Sequence, residues 1–257
     1  MKLIIATFSF LIMLFSCNTN ENKISLVEVT KTTFDTLDTI KKQSLNITKD
    51  FVLGKFDYKN DSTFIKMSSA YTAKEIYLNR QVSRAFLEMY NAAIKDGIEL
   101  KILSGTRNFH EQKAIWERKW AQYKHLEPTE RAKKILEYSS MPSSSRHHWG
   151  TDLDLNSLNN SYFSSGKGLK IYDWLTANAN TFGFYQVYTD KNNERTGYNL
   201  EKWHWSYLPL ASQYIVFYNK RIINDDINGF KGSEQAQKLN IIKDYVNGIS
   251  KKAKDYK

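Results

Sequence analysis

Residues 143–157, SSSRHHWGTDLDLNS, set two of the chain's five histidines side by side and follow them with Asp152 and Asp154. A packed core has no use for that mixture. A metal ion does, because neutral imidazole and carboxylate both ligate zinc, at about 2.0–2.2 Å. Read as a strand, 152–156 turns Asp152 and Asp154 to one face and Leu153 and Leu155 to the other. The leucines make the core face. Gly150 permits a turn between His147 and Asp154, so a loop histidine and a strand aspartate can converge on one point. A third donor, His204, stands in EKWHWSY (201–207), a second expected strand. Three protein donors and one open position for water are the arrangement of a catalytic zinc site, and zinc brings the pKa of a water it binds to about 7. Glu201, three residues before His204, is a carboxylate placed to take the water's proton and hand it to a leaving amine.

Each of these residues has a plainer use when taken alone. Single histidines mostly make surface or core hydrogen bonds, an Asp-x-Asp strand is commonly a solvated face, and Glu201 could be a surface carboxylate. The pieces gain weight together because aromatics crowd around them. Trp149, Trp203 and Trp205 are half of the six tryptophans, and they flank the candidate donors. His110 and His125 have no carboxylate at ligand-like spacing and read as helix-surface residues.

The elements that must position these side chains are also readable. Val82, Phe86, Met89 and Ala93 recur on one face of a helix expected over 79–95, closed by Asp96-Gly97. IELKIL (98–103) alternates as a half-buried strand does and leads into the loop SGTRN. A helix is expected over 110–123, and a short one after Pro128. GLKIYDWLTANANTFGF reads as a helix stopped at Gly183, FYQVY (184–188) as a strand, and TDKNNERTGYN (189–199) as a polar connection. Two more helices are expected near 209–222 and 233–252. Helices early and late with strands clustered around the chemistry predict an α+β domain with a small, mainly antiparallel sheet flanked by helices.

The 257 residues suffice for one large domain or two small ones, and 41% hydrophobic content supports a core. Net charge is +10, from 37 basic and 27 acidic residues. That balance favours polyanions (nucleic acid, anionic lipid or cell-wall polymer), although the lysines are spread along the chain as on an ordinary soluble surface. Lys2 followed by the apolar run Leu3 to Phe15 has the length of a signal-peptide core rather than a membrane span. The expected organisation is a signal peptide over 1–17, a polar tether over 18–50 and a domain from Phe51 on. Cys17 is the one cysteine, which excludes an internal disulfide. Export argues against a nucleic-acid partner.

The spacing Ser145-x-His147-x-x-Gly150-x-Asp152-x-Asp154, followed by Glu201-x-Trp203-His204, resembles the zinc D-alanyl-D-alanine carboxypeptidases of the VanY-like branch. SGTRNFHEQ (104–112), GFYQVY (183–188) and TGYNLEKWHW (196–205) resemble further segments of that family, so the likeness runs over roughly 52–210. Leu14-Phe15-Ser16-Cys17 resembles a bacterial lipobox, which implies lipidation of Cys17 and an exported protein anchored in the bacterial cell envelope. The family resemblance implies a hedgehog or D,D-peptidase type of fold, with a catalytic domain over 51–210 and a C-terminal helical extension over 211–257. It implies one zinc ion held by His147, Asp154 and His204, with Glu201 as base and then acid. Arg107 would clamp the substrate carboxylate or steady the oxyanion, and Gln112, Ser145, Tyr188 and Trp203 would line the pocket. His148 and Asp152 would be neighbours rather than ligands. The substrate implied is a peptidoglycan stem peptide losing its terminal D-alanine to a monomeric enzyme. An L,D-carboxypeptidase or endopeptidase on the same fold, and a catalytically silent wall-binding lipoprotein, are the other readings. The family usually carries a small residue where this chain has Asp152, and Thr106, Asn108 and Val187 also depart from its pattern.

Overall fold

The structure, a computed structural model, describes residues 47–191 and 195–256. The signal peptide, Cys17, most of the expected tether and residues 192–194 lie outside the described residues. The elements run α1 (Lys49–Val52), β1 (Phe64–Lys66), β2 (Tyr77–Asn79), α2 (Arg80–Lys95), β3 (Ile102–Ser104), α3 (Phe109–Gln122) and α4 (Pro128–Ile135). A 3-10 turn (Arg146–Trp149) leads into β4 (Asp152–Leu155), then α5 (Gly166–Asn178), β5 (Phe184–Gln186) and β6 (His204–Tyr207). Helices α6 (Leu208–Arg221), α7 (Gln235–Lys238) and α8 (Lys251–Lys254) close the chain. The architecture is α+β. β1 and β2 pair antiparallel, and β3-β4-β6-β5 form a separate, wholly antiparallel sheet.

Helix α2 forms where its apolar period requires it. Asn79 caps it by accepting from the Gln81 N–H, and Val82, Phe86, Met89 and Ala93 are all fully buried. Each large side chain so buried contributes about 1.5–3 kcal/mol. Helix α3 starts on a capping box. The Asn108 side chain accepts from the Glu111 N–H, and the Glu111 carboxylate accepts from the Asn108 N–H.

Several boundaries differ from the expected ones, each for a local reason. The strand expected over 98–103 is confined to Ile102–Ser104, because the Ile102 N–H is taken by the Tyr71 carbonyl and the ladder to β4 opens only there. The strand expected over 201–207 begins at His204, since the His204 N–H bonds back to the Glu201 carbonyl in a turn. The helix expected over 233–252 is broken into α7, a π-turn (Ile241–Val246) and α8. Asn240 has φ 46°, and Gly248 lies against the Asp244 and Thr196 carbonyls too closely for a side chain. His125 sits in a turn beyond α3, exposed as His110 is.

The packed unit runs from Ile47, with Val52 and Leu53 in its core, so the expected tether ends a few residues early. The expected boundary at 210/211 falls inside α6. Tyr218 of that helix donates to the Ser143 carbonyl, and Tyr214 and Tyr218 pack on Trp149. Further on, Ser250 bonds the Val187 and Gln186 carbonyls next to β5. The C-terminal residues are thus part of the frame that carries the site.

Gly150 is the hinge between the 3-10 turn and β4. It sits at φ 68°, where an added Cβ would lie 2.3 Å from the Phe64 ring. Gly150→Ala is expected to cost about 1–3 kcal/mol from backbone strain and the forced ring shift. Thermal unfolding checks this, and an unchanged midpoint would show that the turn relaxes freely.

Candidate active site

The register of β4 against β6 assembles the centre. Asp154 faces His204, Leu153 faces Trp205, and Asp152 faces Ser206. Side chains alternate along each strand, so Asp152, Asp154, His204 and Ser206 share one face while Leu153 and Trp205 are buried on the other. Both faces are covered, and the carboxylates lie in the interior rather than on a solvated surface.

His147 reaches Asp154 from the 3-10 turn. Its Nε2 lies 3.4 Å from Asp154 Oδ2, and His204 Nδ1 lies 3.0 Å from Asp154 Oδ1. The two rings stand edge-on, with centroids 4.9 Å apart. Ligands about 2.0–2.2 Å from a tetrahedral zinc lie roughly 3.3–3.6 Å from one another. The three side chains offer donor atoms all within 4.8 Å of each other, and all three residues are buried. His147 Nδ1 bonds the Gly105 carbonyl at 2.8 Å, which fixes the proton on that nitrogen and leaves the Nε2 lone pair toward Asp154. The donor set fits zinc in chemistry and spacing.

In the metal-free protein the electrostatics favour His147 and Asp154 as donors, whereas His204 must give up a proton when a metal binds. Burial, reinforced by Arg107, pushes His147 below its ordinary value and keeps it neutral. Burial would raise Asp154, but the imidazoles of His147 and His204 outweigh it and hold the carboxyl well below its usual range. Burial would lower His204, yet its hydrogen bonds with Asp152 and Asp154 raise it to about 9. Glu201 is pushed up to about 8, first by burial, with Asp154 adding to the shift and His204 and Arg107 opposing it.

Glu201 stands on the turn before β6, with Oε2 3.6 Å from His204 Nδ1. In a continuous strand, residues 201 and 204 would point to opposite faces. The turn puts both on the same side.

Arg107 follows β3. Its Nη1 donates to Ser104 Oγ at 3.2 Å and lies 4.0 Å from Asp154 Oδ2. Its backbone N–H donates to the His147 carbonyl. Its own carbonyl accepts from His148 Nδ1 at 2.7 Å, while the Ser143 N–H donates to His148 Nε2. His148 is therefore a neutral brace between two loops. Burial drives its pKa down to about 3.

The three donors, Glu201, Arg107, Gln112, Ser145, Tyr188 and Trp203 all line one cavity of about 690 Å³. Tyr188 packs against the His204 ring at 4.6 Å. Gln112 Nε2 donates to the Ser140 carbonyl. Gln112 Oε1, Ser145 Oγ and Arg107 Nε are buried with no hydrogen-bond partner among the described residues. Orphaned polar atoms on a cavity wall are what a polar ligand would satisfy.

Sequence reasoning missed two residues. His148 was passed over as a neighbour, and Arg146, fully buried against Asp152, drew no attention. The available signal for Arg146 was the unusual Asp152, a buried-strand carboxylate in need of a cation.

The fold and site define a small α+β domain with a three-donor candidate metal centre, a neighbouring carboxyl group and a guanidinium on one cavity. The family model for VanY, D-alanyl-D-alanine carboxypeptidase, matches residues 75–210, just over half of the chain. A D-alanyl-D-alanine carboxypeptidase of Enterococcus faecalis is 28% identical over 150 residues, 58% of this chain and 54% of that protein. The putative carboxypeptidase YodJ of Bacillus subtilis is 30% identical over 146 residues, 54% of this chain and 50% of that protein. The chain thus spans about half the length of these relatives. The structure of the LdcB LD-carboxypeptidase matches with a TM-score of 0.50 and 23% identity, covering 72% of this chain and 81% of that one, a likeness of fold. The chain belongs to the VanY family.

Proposed function

We propose that this protein is a zinc carboxypeptidase that removes the terminal D-alanine from peptidoglycan stem peptides. The observation that carries the reading is the convergence of His147, Asp154 and His204 beside Glu201 and Arg107 on one cavity. When bound by the three donors, zinc would supply Lewis acidity and an acidic water. Glu201 takes the proton of the attacking water and delivers it to the departing amine. Burial raises its affinity for protons in the metal-free protein, and beside a dication it would shift back toward the ionised form that a base needs. Arg107 binds the free carboxylate of the substrate through its planar guanidinium, the feature that distinguishes a chain end from an internal peptide. Gln112, Ser145, Tyr188 and Trp203 hold the terminal residue. Lys74, Arg118 and Lys119 also border the cavity and suit an anionic peptide.

The N-terminal leader and the lipobox-like Cys17 support an exported, lipid-anchored enzyme of the cell envelope, where this substrate is found. Among the described residues no helix is long and apolar enough to cross a membrane.

The test is digestion of defined stem peptides with and without a chelator, read by mass spectrometry. Chelator-sensitive loss of one alanine from the pentapeptide is expected. Loss from the tetrapeptide alone would assign L,D specificity, cleavage inside the peptide an endopeptidase, and no cleavage a binding protein. Arg107→Lys is expected to lower kcat/KM about 10–100-fold, because one ammonium cannot reproduce two parallel hydrogen bonds to a carboxylate. The loss should appear mainly in KM, and an amidated peptide end should be discriminated less well than by the unsubstituted enzyme.

A further inference from the structure

Asp152 stands outside the three donors and outside the chemistry assigned above, yet it has the densest polar surroundings in the sheet. It is fully buried. Its Oδ1 accepts from Arg146 Nε at 3.0 Å and from His204 Nε2 at 2.9 Å. Its Oδ2 accepts from the hydroxyls of Thr151 and Ser206. Ser206 Oγ in turn accepts from Arg146 Nη2 at 2.7 Å, which closes a ring of Arg146, Asp152 and Ser206. Arg146 is itself 1% exposed and stacks on Trp149.

A buried ion pair is a weak source of stability, since desolvation offsets most of the attraction. What this pair does reach is His204. The far nitrogen of His147 is held by a neutral carbonyl, that of Gly105. The far nitrogen of His204 is held by a carboxylate. A carboxylate behind an imidazole fixes its tautomer and ring orientation and raises its basicity as a ligand. When His204 gives up one proton to a metal, Asp152 keeps the other on Nε2, and the lone pair then lies on Nδ1, the nitrogen that faces Asp154 and Glu201. Arg146 supplies the countercharge that lets a second carboxylate stand on the same strand face as Asp154.

We propose that Asp152, held by Arg146 and Ser206, is a positioning residue that orients His204 and strengthens its hold on the metal. The inference rests on the zinc reading above and adds to it a residue at which the chain departs from the small side chain usual in its family.

The test measures zinc affinity of the full chain, purified metal-free, by competition with a chromophoric chelator. Asp152→Asn keeps the size and an acceptor oxygen but removes the charge. It is expected to weaken zinc binding about 10–100-fold. Because it leaves Arg146 buried without an anion, it could fail to fold, so the paired variant Asp152→Asn with Arg146→Gln is measured alongside. That pair carries no unpaired buried charge and should show the same loss. Thermal unfolding of the metal-free proteins separates the roles. Positioning predicts that the paired variant unfolds near the wild-type midpoint but gains less from added zinc. Cobalt-substituted protein should show a shifted visible band. Zinc binding within about threefold of wild type in the folded variants, well short of that range, would overturn the proposal. If the wild type takes up no zinc, the metal reading fails first and this one with it.

Discussion

Glu201→Gln should lower kcat by about 10²–10⁴-fold while zinc binding changes little, because the donors remain and the proton acceptor is gone. A loss of that size is about 3–5 kcal/mol of barrier. The substitution is nearly isosteric, and Glu201 lies beside the donors rather than among them, 3.6 Å from His204. Its effect on the metal-free protein has a definite sign. The folded protein holds the Glu201 proton up to about pH 8. The unfolded chain releases it near the ordinary carboxylate value, so this contribution to stability is lost as pH rises through that window. The glutamine variant has no such loss, and its thermal midpoint relative to wild type should be higher at pH 9 than at pH 6. Peptide turnover and calorimetry at the two pH values check both statements. A variant that keeps kcat within tenfold would move the base role to another group.

His204→Ala should abolish both metal binding and turnover. Removing one of three donors costs more than the about 10–100-fold expected for a residue behind a donor. It also strips Asp154 of one of the two imidazoles that stabilise its charge. The pH dependence of the metal-free fold changes as well. His204 is raised to about 9 by its two carboxylate partners, so its stabilising protonation is complete below the ordinary histidine value and lost as pH climbs to about 9. The wild type should lose stability over that range, and the alanine variant should lose less. Equilibrium dialysis with zinc and thermal scans from pH 6 to 9 decide this. Zinc held within tenfold of wild type would place the metal elsewhere.

The elements differ in how openly the sequence announces them. Helix α2 was legible because an apolar side chain every three to four residues has one physical use, and its four marked residues are fully buried. Glycines 97 and 183 marked chain reversals because both adopt positive φ. The strands were less legible at their edges. Alternation of apolar and polar residues continues past Ser104's neighbours and past Trp203, but a strand ends where its backbone finds another partner, such as the turn from Glu201 to His204. The C-terminal helix breaks at Asn240, which takes a left-handed φ, and at Gly248, whose close approach to the Thr196 carbonyl is a distant contact that no local pattern records.

By itself the sequence determined the inventory of the candidate site: two histidines, an aspartate, a glutamate and an arginine in motif spacing, side chains whose chemistry suits metal donors, a base and a carboxylate clamp. Only the tertiary structure decided their mutual geometry. Asp154 meets His204 across 50 residues of chain through the β4–β6 register. Arg107 is fixed by backbone bonds to the His147 turn and by the His148 brace. Asp152 finds Arg146, Ser206 and His204 only inside the closed sheet. Residue type is a local property of the chain, whereas which buried charge finds which partner depends on contacts that exist only after the strands have paired.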